Sequence, residues 1–370
     1  MKIAIFFTYD YSIQTLNDVG IFEREMKIYN EISNLYKVKF KIFTYDTEIL
    51  QDVNNENLTF IPIYSVINKS KNRFIRFLKS FLIPFKLRSL INDVEILHQH
   101  QLLGSWVPII LKFLTKKPLL IRTGYDAFQF AINNNERRLY VYFYKLLTKV
   151  SINFADIYTV TSKSDKKFLT SFFNAKNIFI VPNWIEKNTK NNFNRYENRI
   201  LMVGRLEEQK NYYYALEIFK EILITCPISL DIYGSGKQFQ ELKIEIKNKQ
   251  LPINLMGNLP HNELLETYKK YNYFLTTSKF EGNPKTVLEA LNNDCIVFAS
   301  KIENHKELIY DSFNGYLFEN KEDFIEKFLK IFRNEEEIKL IRNNIPSTLI
   351  ENQINIISKK MMFHYRLLSE

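Results

Sequence analysis

The chain has 370 residues, 46% of them hydrophobic, with 22 Tyr, 31 Phe and a formal net charge of +10. It is too long for one average domain and ample for two with sizeable cores. Two cysteines exclude a disulfide framework, the five histidines form no HExxH-type cluster, and no run of about 18 apolar residues exists to span a membrane. Cys226 and Cys295 read as small core residues of a protein kept in a reducing compartment. The start, MKIAIFFTYDYS, passes from a strand straight into polar residues, without the hydrophobic stretch of a signal peptide. The charge is uneven: residues 1–185 hold 25 Lys and Arg against 15 Asp and Glu, and the rest hold 26 against 26. A one-sided basic field suits nucleic acid, anionic lipid or an anionic substrate.

In chain order, KIAIFF opens as a strand and GIFEREMKIYNEISNLY follows with helical spacing. KVKFKIFTY, VEILHQH, PLLIRTG, DIYTVTS and NIFIVPNW are further short apolar runs ending in polar residues, with helical segments between. TKNNFNRYEN, residues 189–198, has no periodicity and reads as a linker. The alternation then restarts with RILMVGR, SLDIYG, INLMG, YFLTTS and CIVFAS as strands. Strand–helix alternation of this kind predicts an α/β chain with two mostly parallel, Rossmann-like sheets. Ligands of such sheets bind beyond the carboxyl ends of the strands, so two such domains facing each other predict a deep cleft. GxGxxG is missing after the first strand, GSGKQF lacks its third glycine and no Walker lysine motif is present. A dinucleotide-dependent dehydrogenase and a P-loop ATPase are therefore disfavoured.

The distinctive polar residues crowd the strand ends of the second half. Gly204 permits close backbone approach, and Arg205 and Lys210 are cations suited to a phosphate-bearing ligand. Gly234 and Gly236 make a second tight turn. Gly257 ends another strand, with His261 or Asn262 as a helix cap beyond it. Ser278 to Lys285, including Gly282, Asn283 and Pro284, bridges a strand to the helix that carries Lys285 and Thr286. Backbone amides at that helix start can hold a pyrophosphate. Glu289, about one turn in, can accept from both hydroxyls of a ribose, and Glu281 faces whatever the phosphate carries.

VGRLEEQKN (203–211), GSGKQFQEL (234–242) and SKFEGNPKTVLEA (278–290) resemble the retaining glycosyltransferases of family 4, which have the GT-B fold. Glu281 and Glu289 match that family's Glu-x7-Glu element. VPNW resembles its VPNG, with Trp184 in place of glycine and Asn183 as a candidate contact. ENHKELI keeps Glu307 of the penultimate donor loop but lacks the usual glycines, and NGYLF fits the segment after it. The resemblance implies an N-terminal acceptor-binding domain (1–185), a C-terminal sugar-nucleotide-binding domain (186–350) and a last helix (351–370) crossing back to the first. It implies that Arg205 and Lys210 neutralise the pyrophosphate and its developing charge. Glu281 would hold donor-sugar hydroxyls and Glu289 the ribose, with no metal and no further cofactor. Retention is likewise an expectation from the family; a same-face route, with the leaving phosphate helping to deprotonate the acceptor, fits the residues better than a carboxylate nucleophile.

The first half departs from the family pattern. Only Gly20 stands where relatives carry a glycine-rich loop. RTGYD replaces a histidine-bearing loop and offers Arg122, Tyr125 and Asp126 as acceptor or donor-sugar candidates. His98 and His100 end a strand, and His100 lines the cleft or merely caps that strand. KSKNRFIRFLKSFLIPFKLRSL, residues 69–90, holds seven Lys or Arg and no acid, interleaved with Phe, Ile and Leu. As a helix it would show a greasy side and a basic side, which favours an anionic membrane surface over a largely buried acceptor-domain helix and over nucleic acid. The expected protein is therefore a cytoplasmic glycosyltransferase, peripheral on the inner membrane face, moving a sugar from a nucleotide-diphosphate sugar to a glycan or lipid-linked glycan. The alternative is a catalytically silent carbohydrate-binding or scaffolding protein of the same fold.

Overall fold

The computed structural model describes residues 1–18, 20, 22–48, 56–186 and 194–370. The chain forms two compact units: Met1–Pro182 together with Ile354–Glu370, and Asn183–Gln353.

The first unit is built on seven parallel strands in the order β3-β2-β1-β4-β5-β6-β7. They are β1 Lys2–Phe6, β2 Lys39–Thr44, β3 Leu58–Pro62, β4 Ile96–Gln99, β5 Leu119–Arg122, β6 Ile157–Val160 and β7 Ile178–Ile180. β4, β5 and β6 are buried along their whole length, as expected of strands covered by helices on both faces. One core layer joins Ile83, Leu87, Trp106, Leu147 and Ile152 to the sheet residues Phe6, Leu97 and Ile121. Each such buried side chain contributes about 1.5–3 kcal/mol relative to exposure. The closing helix Ile354–Ser369 packs on the helix Phe22–Tyr36 and near β4, where the Tyr365 hydroxyl meets His98 Nδ1 at 2.7 Å.

The second unit has six parallel strands in the order β10-β9-β8-β11-β12-β13. They are β8 Tyr196–Val203, β9 Ser229–Tyr233, β10 Ile253–Gly257, β11 Tyr271–Thr276, β12 Ile296–Ser300 and β13 Tyr316–Phe318. Its core includes a stacked aromatic row in which Phe298 and Tyr316 lie 5.1 Å apart and Phe324 and Phe328 5.6 Å apart. Asn320 and Asn334 cap the helices Lys321–Ile331 and Glu335–Thr348 through their side chains, satisfying first-turn amides. In both sheets the strand order reverses once, between β1 and β4 and between β8 and β11. Those reversals place open loops at the carboxyl ends of the strands.

Two expectations are corrected here. Residues 189–193 of the expected linker lie outside the described residues, but Tyr196–Asn198 belong to β8. Tyr196 pairs with Tyr271 in register and packs on its ring at 5.1 Å, and Arg195 donates to the Tyr271 and Asn293 carbonyls. The stretch 69–90 is not one helix but two short ones, Arg73–Ser80 and Ile83–Leu87, followed by a 3-10 turn. Pro84 lacks the amide to continue the first helix and suits the opening of the second.

Candidate active site

The second unit brings five polar side chains together where its strand order reverses. After β8 the chain turns through a 3-10 helix, Glu208–Lys210, and after β11 it loops into the helix Lys285–Asn292. Lys210 Nζ lies 2.6 Å from Glu281 Oε1. Ser278 Oγ donates to the same oxygen at 2.6 Å, and Gln209 Nε2 donates to Oε2 at 3.1 Å and to the Phe280 carbonyl at 2.8 Å. His305 is fully buried, its Nδ1 2.7 Å from the Ser300 carbonyl. Burial alone would raise the Glu281 carboxyl, but Lys210, His305 and the Lys210 and Ser278 hydrogen bonds outweigh it and hold it below the usual value. Burial pushes His305 down to about 4, against the pull of Glu281, so the ring is neutral. Glu281 is therefore an ionised carboxylate held in place by the protein.

Glu289 sits in the next helix, also buried. His261 Nε2 lies 3.0 Å from its Oε1, and the Tyr268 hydroxyl donates to Oε2 at 3.4 Å. His261 is not the cap of its helix: Pro260 occupies the cap position and makes no side-chain bond. The helix holding Glu289 starts at Lys285 behind Pro284, an extended residue that leaves the first turn without a side-chain cap. Lys285 and Thr286 are half-buried in that turn. Such a helix start carries partial positive charge.

The remaining candidates of this unit divide. Arg205 is 66% exposed and pairs with Glu207 at 3.4 Å. Asn283 is turned inward: its Oδ1 accepts from the Asn183 amide at 3.0 Å, and its carbonyl accepts from Asn183 Nδ2 at 2.6 Å. Asn304 donates to the Gly282 carbonyl at 2.5 Å. Asn183, Gly282 and Asn283 are thus engaged in shaping the loop. Gly234 and Gly236 serve packing: a Cβ on Gly234 would stand 1.9 Å from the Gly204 carbonyl oxygen, and one on Gly236 2.4 Å from that of Leu206. Gly204 is crowded by Lys210 and Tyr212, so it admits the lysine to the loop. A cavity of about 590 Å³ borders this loop, lined by Asn211, Tyr214, Thr277, Ser278, Ser300 and Phe318 among others.

In the first unit, His100 Nδ1 lies 2.6 Å from the Tyr29 hydroxyl and its Nε2 3.2 Å from Glu25. His98 is buried beside it and held neutral by burial, His100 and Arg122. Arg122 is buried at the end of β5. Gly20 has a left-handed φ of 68° and closes a turn onto the Asn17 carbonyl. Tyr125 is half-exposed against Phe130. Asp126 is fully buried and caps the helix Ala127–Asn133, accepting from the Gln129 amide at 2.5 Å. Its place in this structure is that of a helix cap sealed from solvent. Among the described residues no group of three His, Cys, Asp or Glu is arranged to hold a metal ion.

Gln209, Tyr268 and His305 carry no site signal in the sequence, and Ser278 and His261 carry only a loop and a cap signal. Each acts through a partner 3 to 72 positions away, and the local pattern around it is unremarkable.

Two parallel α/β units, each with one strand-order reversal, define a chain of the GT-B fold. Residues 184–348 match the family model described as Glycosyl transferases group 1. The amylovoran biosynthesis glycosyltransferase AmsD of Erwinia amylovora is 33% identical over 163 residues, 42% of this chain and 44% of that protein. The uncharacterised glycosyltransferase MJ1178 of Methanocaldococcus jannaschii is 25% identical over 328 residues, covering 86% and 87%. The crystal structure of TarM superposes with a TM-score of 0.79 at 12% identity, covering 100% of this chain and 99% of that one.

Proposed function

We propose that the protein transfers a sugar from a nucleotide-diphosphate sugar to a glycan or lipid-linked glycan acceptor with retention of anomeric configuration. In this reading the second unit holds the donor and the first takes the acceptor. The observation that carries it is the ionised Glu281, fixed by Lys210, Ser278 and Gln209, eight residues before Glu289 and beside an uncapped helix start. The amides of that helix start, with Arg205 and Lys210, suit the diphosphate. Glu289 suits the ribose diol and Glu281 the donor-sugar hydroxyls. As the bond from the anomeric carbon to the β-phosphate oxygen breaks, charge grows on the leaving diphosphate, where these fixed groups act most strongly. The acceptor hydroxyl oxygen then bonds to the anomeric carbon on the same face, and its proton passes to the leaving phosphate oxygen. No metal is required by this arrangement. AmsD, named an amylovoran biosynthesis glycosyltransferase, supports glycosyl transfer.

The stretch 69–90 is assigned to an anionic membrane surface at the cytoplasmic face. Phe74 is 69% and Phe85 58% exposed, with Ile75, Leu78 and Leu82 also exposed, amid seven cations and no acid. No helix among the described residues is long and apolar enough to cross a membrane.

The test is calorimetric titration of UDP-, GDP-, ADP- and CMP-linked sugars against the purified chain and Glu289→Ala, then product analysis by NMR with and without EDTA. One donor bound tightly, lost in the variant, and an axial-to-axial or equatorial-to-equatorial product support the proposal. Absence of any donor binding, or an inverted product, overturns it.

A further inference from the structure

The helix Arg138–Phe154 opens with about two turns that bury almost nothing. Leu139 is 81% and Tyr142 66% exposed, and Leu146 is half-exposed. Their spacing, i, i+3 and i+7, puts the three on one stripe of the helix. The core face, Leu147, Ser151 and their neighbours, lies on a different side. Arg138, Lys145 and Lys149, at i, i+7 and i+11, form a parallel basic stripe immediately beside the apolar one. Residues 137–149 carry four cations and no acid. A greasy stripe edged by cations is the pattern of a helix lying in a bilayer interface.

This helix belongs to the same layer as the 69–90 segment. The helix Trp106–Thr115 packs against both Ile83–Leu87 and Arg138–Phe154, and Ile83, Leu87, Trp106 and Leu147 share one core cluster. We propose that the Leu139–Tyr142–Leu146 stripe is a second contact with the anionic bilayer, so that the first unit docks through two separate elements of one helical layer. The inference rests on the membrane reading of residues 69–90. A second copy of the chain is the weaker occupant, because it would bring a basic stripe against a basic stripe. An anionic lipid surface neutralises both stripes while the Leu and Tyr side chains enter the acyl boundary. Two spaced contacts also fix the orientation of the unit on the surface, which one short helix cannot do.

The experiment is co-sedimentation of the full chain with phosphatidylcholine vesicles, with and without phosphatidylglycerol, for the parent, Leu139→Asp/Tyr142→Asp and Phe74→Asp/Phe85→Asp. Circular dichroism and light scattering accompany each variant. The expected result is binding only to the anionic vesicles, weakened roughly tenfold or more by either pair of substitutions and further by both, with folding and mass unchanged. Loss on Phe74→Asp/Phe85→Asp alone overturns this inference and leaves the 69–90 reading standing. Loss on Leu139→Asp/Tyr142→Asp alone sustains the stripe and removes the 69–90 contact. No binding by the parent removes both. Dissociation of an oligomer by Leu139→Asp/Tyr142→Asp, with vesicle binding intact, assigns the stripe to a second copy and overturns the proposal.

Discussion

The Lys210 ammonium rests 2.6 Å from the Glu281 carboxylate, and both side chains are largely withdrawn from solvent. A cation already paired with the protein's own carboxylate is not free to travel to a ligand. In the proposed reaction a diphosphate would share it, which would leave the lysine placed before the donor arrives and spare reorganisation during bond breaking.

Removing one partner of this pair strands the other. Lys210→Ala is expected to lower stability by about 3–5 kcal/mol, whereas Lys210→Met with Glu281→Gln retains most of it. Urea unfolding of the single and double variants checks this; a neutral Lys210→Ala would mean the pair behaves as an exposed one. Because the folded Glu281 carboxyl lies below its usual value, its stabilisation is present above the ordinary carboxylate range and is lost as pH falls through the folded value. Glu281→Gln should lack that acid sensitivity.

Glu289→Ala removes an acceptor from a site otherwise lined by His261 and Tyr268. Donor affinity should fall roughly tenfold to a hundredfold, the range for hydrogen bonds to a charged group. Nucleotides lacking a ribose hydroxyl should be discriminated by the parent and not by the variant. Equal discrimination by both would place the ribose elsewhere.

Two buried groups should give stability profiles of opposite sign. Burial raises Asp126 to about 6, so the folded chain binds that proton more readily than the unfolded one. Its cost therefore grows as pH rises from about 4 to 6 and reaches up to about 3 kcal/mol. Asp126→Asn keeps the cap, and its advantage over the parent should widen across that window. His305, held at about 4, resists a proton that the unfolded chain accepts near 6.5. The cost there grows as pH falls from about 6.5 to 4, and His305→Asn should gain on the parent in that direction. Chemical denaturation across the range tests both; parallel profiles for parent and variants would rule the assignments out.

Gly234 and Gly257 both have positive φ, 145° and 76°, but differ in surroundings. Gly234→Ala drives a methyl into the Gly204 carbonyl and should cost roughly 3 kcal/mol or more. Gly257→Ala meets nothing within 4 Å and should lose only about 1–2 kcal/mol of backbone strain. Thermal unfolding of the two variants separates crowding from conformation.

Much of this was legible in the residues. Apolar runs such as ILMV and YFLTT announce buried parallel strands, and Glu281 and Glu289 stand out because they interrupt an apolar context. Pro84 marks the break in the 69–90 stretch that the single-helix reading passes over, and Asp126 with Gln129 three positions later has the spacing of a capping pair. The partners of the glutamates were not legible. Gln209 reaches Glu281 across 72 positions, and His261 reaches Glu289 across 28. Such pairs are created by strand order, which periodicity does not encode. The inward turn of Asn183 and Asn283 likewise depends on two loops meeting.

The first unit includes both ends of the chain: it is left at Pro182 and rejoined at Ile354, where Tyr365 bonds to His98 and Arg366 lies over the Tyr36 ring. During synthesis the second unit is therefore complete before the first. The earlier-made strands must wait, with the surface beside β4 and the Phe22–Tyr36 helix uncovered, until the helix Ile354–Ser369 has been made. Loss of residues 354–370 consequently damages the unit built mainly from residues 1–182.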